Sequence, residues 1–187
     1  LDPQFVHAYT FGSLVLIDYA GGRDEALSLL KKGMEENPLQ WEIPFTAGFI
    51  HYIFLRQFQT AGDYFLRAAK LPEAPQSCLR FAGFVYGKAG ERDVALRLWN
   101  ELYNSTQNEV EKETALTWMN RLTREKHVSL LEKALDEYRS IYRTYPATLG
   151  ELVEKGLLKE VPDDPYGGRY YLDPNTHEVK STGRTRR

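Results

Sequence analysis

The chain has 187 residues, 42% of them hydrophobic and 27% charged, with 24 Lys and Arg against 26 Asp and Glu for a formal net charge of -2. This composition fits a globular chain long enough to bury a core, and it excludes a disordered tail and a collagen-like fibre. A single cysteine, Cys78, excludes an internal disulfide framework, and the near-neutral balance gives no electrostatic footprint for nucleic acid.

In chain order, the first 105 residues carry a repeat. Ala26, Ala61 and Ala95 are 35 and 34 positions apart. Four residues after each comes a bulky side chain, Leu30, Phe65 or Trp99, and seven after comes Gly33, Ala68 or Leu102. Upstream of each Ala an apolar, helix-like run contains Gly12, Gly48 or Gly83, and Pro38 and Pro72 follow the first two copies. Small residues let two helix backbones approach while large ones fill the adjoining seam. The Gly-to-Ala spacing is 12 in the third copy but 14 and 13 in the first two, so their first helices or turns carry extra residues.

The pattern resembles the tetratricopeptide repeat (TPR), a helix-turn-helix unit whose copies stack into a solenoid. The resemblance implies that the first helices line a concave, partner-binding face. The family's groove positions fall on Tyr9, Thr10 and Ser13 in the first copy, on Phe45, Phe49 and Tyr52 in the second, and on Arg80, Phe84 and Lys88 in the third. In this family the second helix commonly ends in an apolar-Asp-Pro tripeptide. Leu1-Asp2-Pro3 therefore reads as the end of a preceding unit, with a further helix or repeat expected upstream.

Beyond Asn104-Ser105-Thr106 the period fails. Val110, Ala115, Met119 and Leu122 define an amphipathic helix, with Asn108 or Ser105 as N-cap, expected to cap the repeat array. Arg121, Arg124, Lys126 and His127 are read as its basic C-terminus. A second long helix is expected from about Val128 to Tyr145, stopped by Pro146. Thr148 then caps a short helix over 149–154, ended by Gly156. After the turn-rich Pro162-Asp163-Asp164-Pro165-Tyr166-Gly167-Gly168, the alternating Arg169–Leu172 and Glu178–Ser181 segments predict a hairpin around Pro174-Asn175.

From about Ala134 to Thr182 the chain resembles the soluble part of the type II secretion major pseudopilin and related type IV pilin-like proteins. The likeness rests on the helix ending in Tyr145-Pro146, the Leu149–Leu158 segment, and the Asp164-Pro165-Tyr166-Gly167-Gly168 run. The hydrophobic helix that builds the pilin fibre has no counterpart here. Nor does the acidic loop with which pseudopilins bind calcium, so no calcium is carried over. Asp163, Asp164 and Asp173 are read as turn formers rather than metal ligands. Repeats joined to such a tail are similar to bacterial membrane-anchored TPR proteins. That likeness implies a periplasmic location, with an anchor upstream of Leu1; the alternative is cytoplasmic.

No catalytic constellation stands out. His7, His51, His127 and His177 have no second His or Cys at ligand spacing, and no HExxH, CxxC, GxGxxG or GxxxxGK[ST] motif occurs. Gly21-Gly22 reads as an interhelical turn and Cys78 as a buried small hydrophobe.

The expected fold is mainly α: a TPR-type helical-hairpin solenoid of about three repeats with capping helices and a small C-terminal β-hairpin. The TPR domain spans 1–105 (copies about 4–38, 41–73 and 76–107), the capping helix 106–127, and the pilin-like helix plus hairpin 128–187. The expected function is a non-enzymatic scaffold or adaptor in a bacterial cell-envelope assembly. It would use no cofactor and no nucleic acid, and it would hold a helix or extended segment of a protein partner in the concave groove. The alternative is a structural accessory subunit of a membrane, secretion or pilus complex, docking by its outer face or its hairpin.

Overall fold

Six helices alternate with short turns along the first hundred residues: α1 (Val6–Asp18), α2 (Arg23–Glu36), α3 (Glu42–Ile53), α4 (Phe58–Ala69), α5 (Gln76–Lys88) and α6 (Arg92–Ser105). They form three successive helical hairpins, as the repeat spacing predicts. The computed structural model describes residues 5–19 and 21–184, so the Leu1-Asp2-Pro3 reading lies outside the described residues. The chain divides into two compact units, 1–116 and 117–187.

Small-against-large packing organises the first unit. A Cβ placed on Gly48 would lie 2.9 Å from the Phe65 ring, and one on Gly83 would lie 3.1 Å from the Trp99 ring. In both hairpins the glycine of the first helix is the notch that the bulky side chain of the second helix fills. The first hairpin departs from this register. Its Gly12 faces Leu29, not Leu30, which is buried instead among Tyr9, Met34, Ile43, Ala47 and Ile50. Between the second and third hairpins the Tyr86 ring covers Gly62, and its hydroxyl donates to Asp63 at 2.6 Å.

Amphipathicity explains why α4 takes its place. Ala61, Gly62, Phe65 and Ala68 are buried at helical spacing, whereas Gln59, Asp63 and Arg67 face solvent. Pro44 is accommodated because it lies in the first turn of α3, where backbone N–H groups lack intrahelical partners. At the far end of α2, the buried Asn37 donates twice to the Gly33 carbonyl, from its backbone amide at 2.9 Å and from Nδ2 at 3.2 Å.

The expectation of two helices meeting near 127 is corrected. A single helix, α7 (Glu109–Tyr142), runs through that point. Asn108 caps it, its Oδ1 accepting the Val110 and Glu111 amides at 2.9 and 3.3 Å. No glycine or proline interrupts the helix, and the basic run read as a terminus is interior to it. The helix stops at Tyr142, earlier than expected, because Arg143 adopts a left-handed φ of 61°.

In the second unit α8 (Leu149–Glu154) and a two-stranded antiparallel sheet follow, β1 (Tyr170–Leu172) and β2 (Val179–Ser181), with Tyr170 opposite Ser181. Leu131, Ala134, Leu135 and Tyr138 of α7 pack with Leu149, Leu152, Leu158 and Tyr170 into one core. Thr148 precedes α8 but makes no side-chain cap bond. The Glu151 carboxylate instead ties the preceding segment and α7 to the helix start, accepting the Ala147 amide at 2.9 Å and the Tyr138 hydroxyl.

The Asp-Pro-Tyr-Gly-Gly turn owes its glycines to close backbone approach. A Cβ on Gly168 would fall 2.0 Å from the Gly183 nitrogen, and Gly167 has a φ of +76°. Among the described residues no helix is long and apolar enough to cross a membrane.

Candidate functional site: the first-helix face

The three first helices share a cleft of about 500 Å³. Its α1 wall is His7, Thr10, Phe11 and Leu14. The opposite wall is Trp41, which precedes α3, with Glu42, Phe45 and Thr46. Ser77 of α5 closes one end. An aromatic cluster backs the α3 wall: Phe45 meets Trp41, Phe65 and Phe81 edge-on, with ring centroids 5.9, 5.1 and 5.5 Å apart. Such contacts hold Phe45 in one orientation and keep an apolar surface presented to the cleft.

The expected groove residues separate into three groups. Thr10 and Phe45 line the cleft. Tyr52 and Phe84 form an edge-to-face pair at 5.8 Å between α3 and α5, and the Lys88 ammonium lies 5.3 Å from the Phe84 ring centroid. Phe49, on the same helix as Tyr52, is exposed.

The third group is occupied within the fold. Tyr9 is buried, its ring filling the notch at Gly33, and Ser13 is fully buried, its hydroxyl donating to the Thr10 carbonyl at 2.8 Å. Arg80 is engaged by Glu111 of α7, Nη1 to Oε1, at 2.7 Å.

Cleft residues that the sequence mapping does not select are His7, Phe11, Leu14, Trp41, Glu42, Thr46 and Ser77. The signal for the α1 wall lay in the chain. Positions 7, 10, 11 and 14 form a helical stripe, one residue out of phase with the 9 and 13 that the family register selects.

Glu42 dominates the electrostatics of the cleft. It lines the cavity at the start of α3, and its Oε2 is buried without a hydrogen bond to any described residue. Cys78 is fully buried, and burial pushes its thiol up to about 11, with the Glu42 charge contributing in the same direction against a backbone hydrogen bond.

Two of the histidines pack against aromatic rings away from the cleft. His51 Nδ1 lies 2.7 Å from Gln57 Oε1 and its ring stacks on Tyr64, while the His127 ring meets Tyr170 edge-on. Among the described residues no three His, Cys, Asp or Glu side chains converge in a metal-binding arrangement.

Asp164 and Asp173 sit at turns as expected. The Asp164 Oδ1 accepts the Tyr166 amide at 2.8 Å, and the Asp173 Oδ1 accepts the Asn175 and Thr176 amides at 2.9 and 3.2 Å. Both also hold a cation, Arg124 and Lys180 respectively.

The cleft thus combines aromatic and aliphatic walls with one carboxylate and with hydroxyl-bearing residues at Thr10, Thr46 and Ser77. Compared with known proteins, the chain matches no family model, and no curated protein or solved structure shows a significant match to it.

Proposed function

We propose that this chain is a non-enzymatic scaffold that binds a helix or extended segment of a protein partner along the face formed by α1, α3 and α5. The observation that carries the reading is the cleft among those three helices, with Phe11 leaving 70% of its surface in solvent beside Trp41 and Phe45. Aromatic surface of this kind supplies contact area at small entropic cost, and recognition through it requires no chemistry on the bound segment. The resemblance of the repeats to TPR units and of the tail to pilin-like modules is what supports proposing a bacterial cell-envelope assembly, on the periplasmic side, as its setting.

The test is capture of partners from the native source on the immobilised chain. Phe11→Ala with Phe45→Ala should abolish capture, whereas Lys31→Ala on the exposed side of α2 should leave it unchanged. Capture that persists in the double variant and disappears with Tyr171→Ala, an exposed strand residue, would support instead an accessory subunit docking through its hairpin.

A further inference from the structure

We infer that the cleft selects its partner by one basic side chain, a Lys or Arg seated against Glu42; this rests on reading the first-helix face as a protein-binding surface. Glu42 is the one carboxylate among the residues that line the cavity, whose other walls are largely apolar, and its Oε2 makes no hydrogen bond to a described residue. A wholly apolar segment placed there would strip water from the carboxylate and put no donor in its place. An acidic segment would add like-charge repulsion to that. A Lys or Arg answers both features of the cavity. Its aliphatic stem packs on Phe11 and Phe45, its charged end forms a charge-assisted hydrogen bond to Glu42, and Trp41, which lines the same cavity, supplies an aromatic ring for a cation–π contact.

The chain's own cations on this face are otherwise engaged. Arg80 pairs with Glu111, and Lys88 lies over Phe84. Thr10 and Ser77 supply hydroxyl acceptors for the remaining donors of an ammonium or guanidinium group. The fitted occupant is therefore a segment in which a single Lys or Arg is flanked by apolar residues.

The experiment selects random peptides displayed on phage against the whole chain, then measures a selected peptide by isothermal titration. Selected peptides should share one Lys or Arg beside apolar residues. Replacing that residue by Met should weaken binding on the order of tenfold to a hundredfold to the unaltered protein. The same replacement should make little difference to Glu42→Gln, so that the two losses are coupled rather than additive.

Selected peptides with no shared basic residue, but weakened by Trp41→Ala, would overturn the Glu42 inference and leave the binding face standing. A basic-to-Met replacement without effect on the unaltered protein would do the same, whatever the fate of the Glu42 variant. A selection that yields no binders, or binders indifferent to both Trp41→Ala and Phe11→Ala, would overturn the binding face and this inference together.

Discussion

Arg124 and Asp164, 40 positions apart, meet in a two-bonded ion pair, with Nη2 2.7 Å from Oδ2 and Nε 3.3 Å from Oδ1. The Asp164 side chain is fully buried, and the Ser181 hydroxyl donates to the same Oδ2. Arg124 also donates to the Gly183 carbonyl at 2.8 Å, so one guanidinium ties α7 to the turn and to the end of the hairpin.

Removing one partner of such a pair strands a buried charge. Arg124→Ala is expected to destabilise the second unit by about 3 kcal/mol, read by urea denaturation. Arg124→Lys should recover only part of the loss, since an ammonium cannot reproduce the bidentate geometry. Burial alone would raise the Asp164 carboxyl, but bonds from Arg124, Ser181 and the Tyr166 amide outweigh it and hold the group below its ordinary value of 3.8. Its stabilisation is therefore complete above the ordinary value and is lost as pH falls through the lower, folded one. A melting temperature flat above pH 4 and falling in more acid solution is expected, with a smaller fall in Asp164→Asn.

Asp173 gives a second, local titration. Its bond from Lys180 and the Asn175 and Thr176 amides hold the carboxyl down to about 2, from 3.8. The turn should stay intact at pH 4 and loosen progressively between pH 4 and 2. A carbon-detected NMR titration of the Asp173 carboxyl with a midpoint near 3.8 would show that these bonds do not persist in solution.

Two glycines on helices are expected to respond with opposite sign to the same substitution. Gly48→Ala gains helix propensity of about 1 kcal/mol, but its Cβ would press on the fully buried Phe65 ring at 2.9 Å. Overpacking of about 1–3 kcal/mol makes the net change destabilising. Gly150 in α8 has room, its nearest neighbour being the Thr148 hydroxyl at 3.5 Å, so Gly150→Ala should stabilise by up to about 1 kcal/mol. Thermal melts of the two variants check the pair.

Much of this fold could be read from residue types, and the failures have local causes. The Gly48–Phe65 and Gly83–Trp99 contacts follow from one spacing rule. The same rule misplaces the first hairpin, where Gly12 and Ala26 are 14 apart, against 13 and 12 in the copies that obey it. There Leu29 rather than Leu30 meets Gly12, and Tyr9 and Ser13 turn inward while Thr10 and Phe11 reach the cleft. Glu42 escaped notice for a different reason. Nothing in the sequence distinguishes a carboxylate with a buried, unpartnered oxygen from one on a solvated helix start. Continuity of α7 was hidden because Arg124, which belongs to Asp164 far along the chain, looks locally like part of a basic helix end.

Cys78 should be nearly inert. With its thiol at about 11 rather than the ordinary 9.0, the thiolate fraction near pH 8 falls about a hundredfold, and the side chain is fully buried. Iodoacetamide should label it slowly in the native protein and rapidly in urea. Fast native labelling would mean that α5 opens readily.

The cleft takes its walls from α1 and α3 and its end from α5, so no single hairpin contains the site. Occupancy and local order are therefore thermodynamically linked. A segment that binds only when α1 is docked must hold α1 down, by about 2.7 kcal/mol at a hundred times its dissociation constant. Amide hydrogen exchange in α1 would then slow about a hundredfold at that concentration. The first hairpin would report on a ligand that also touches the second and third.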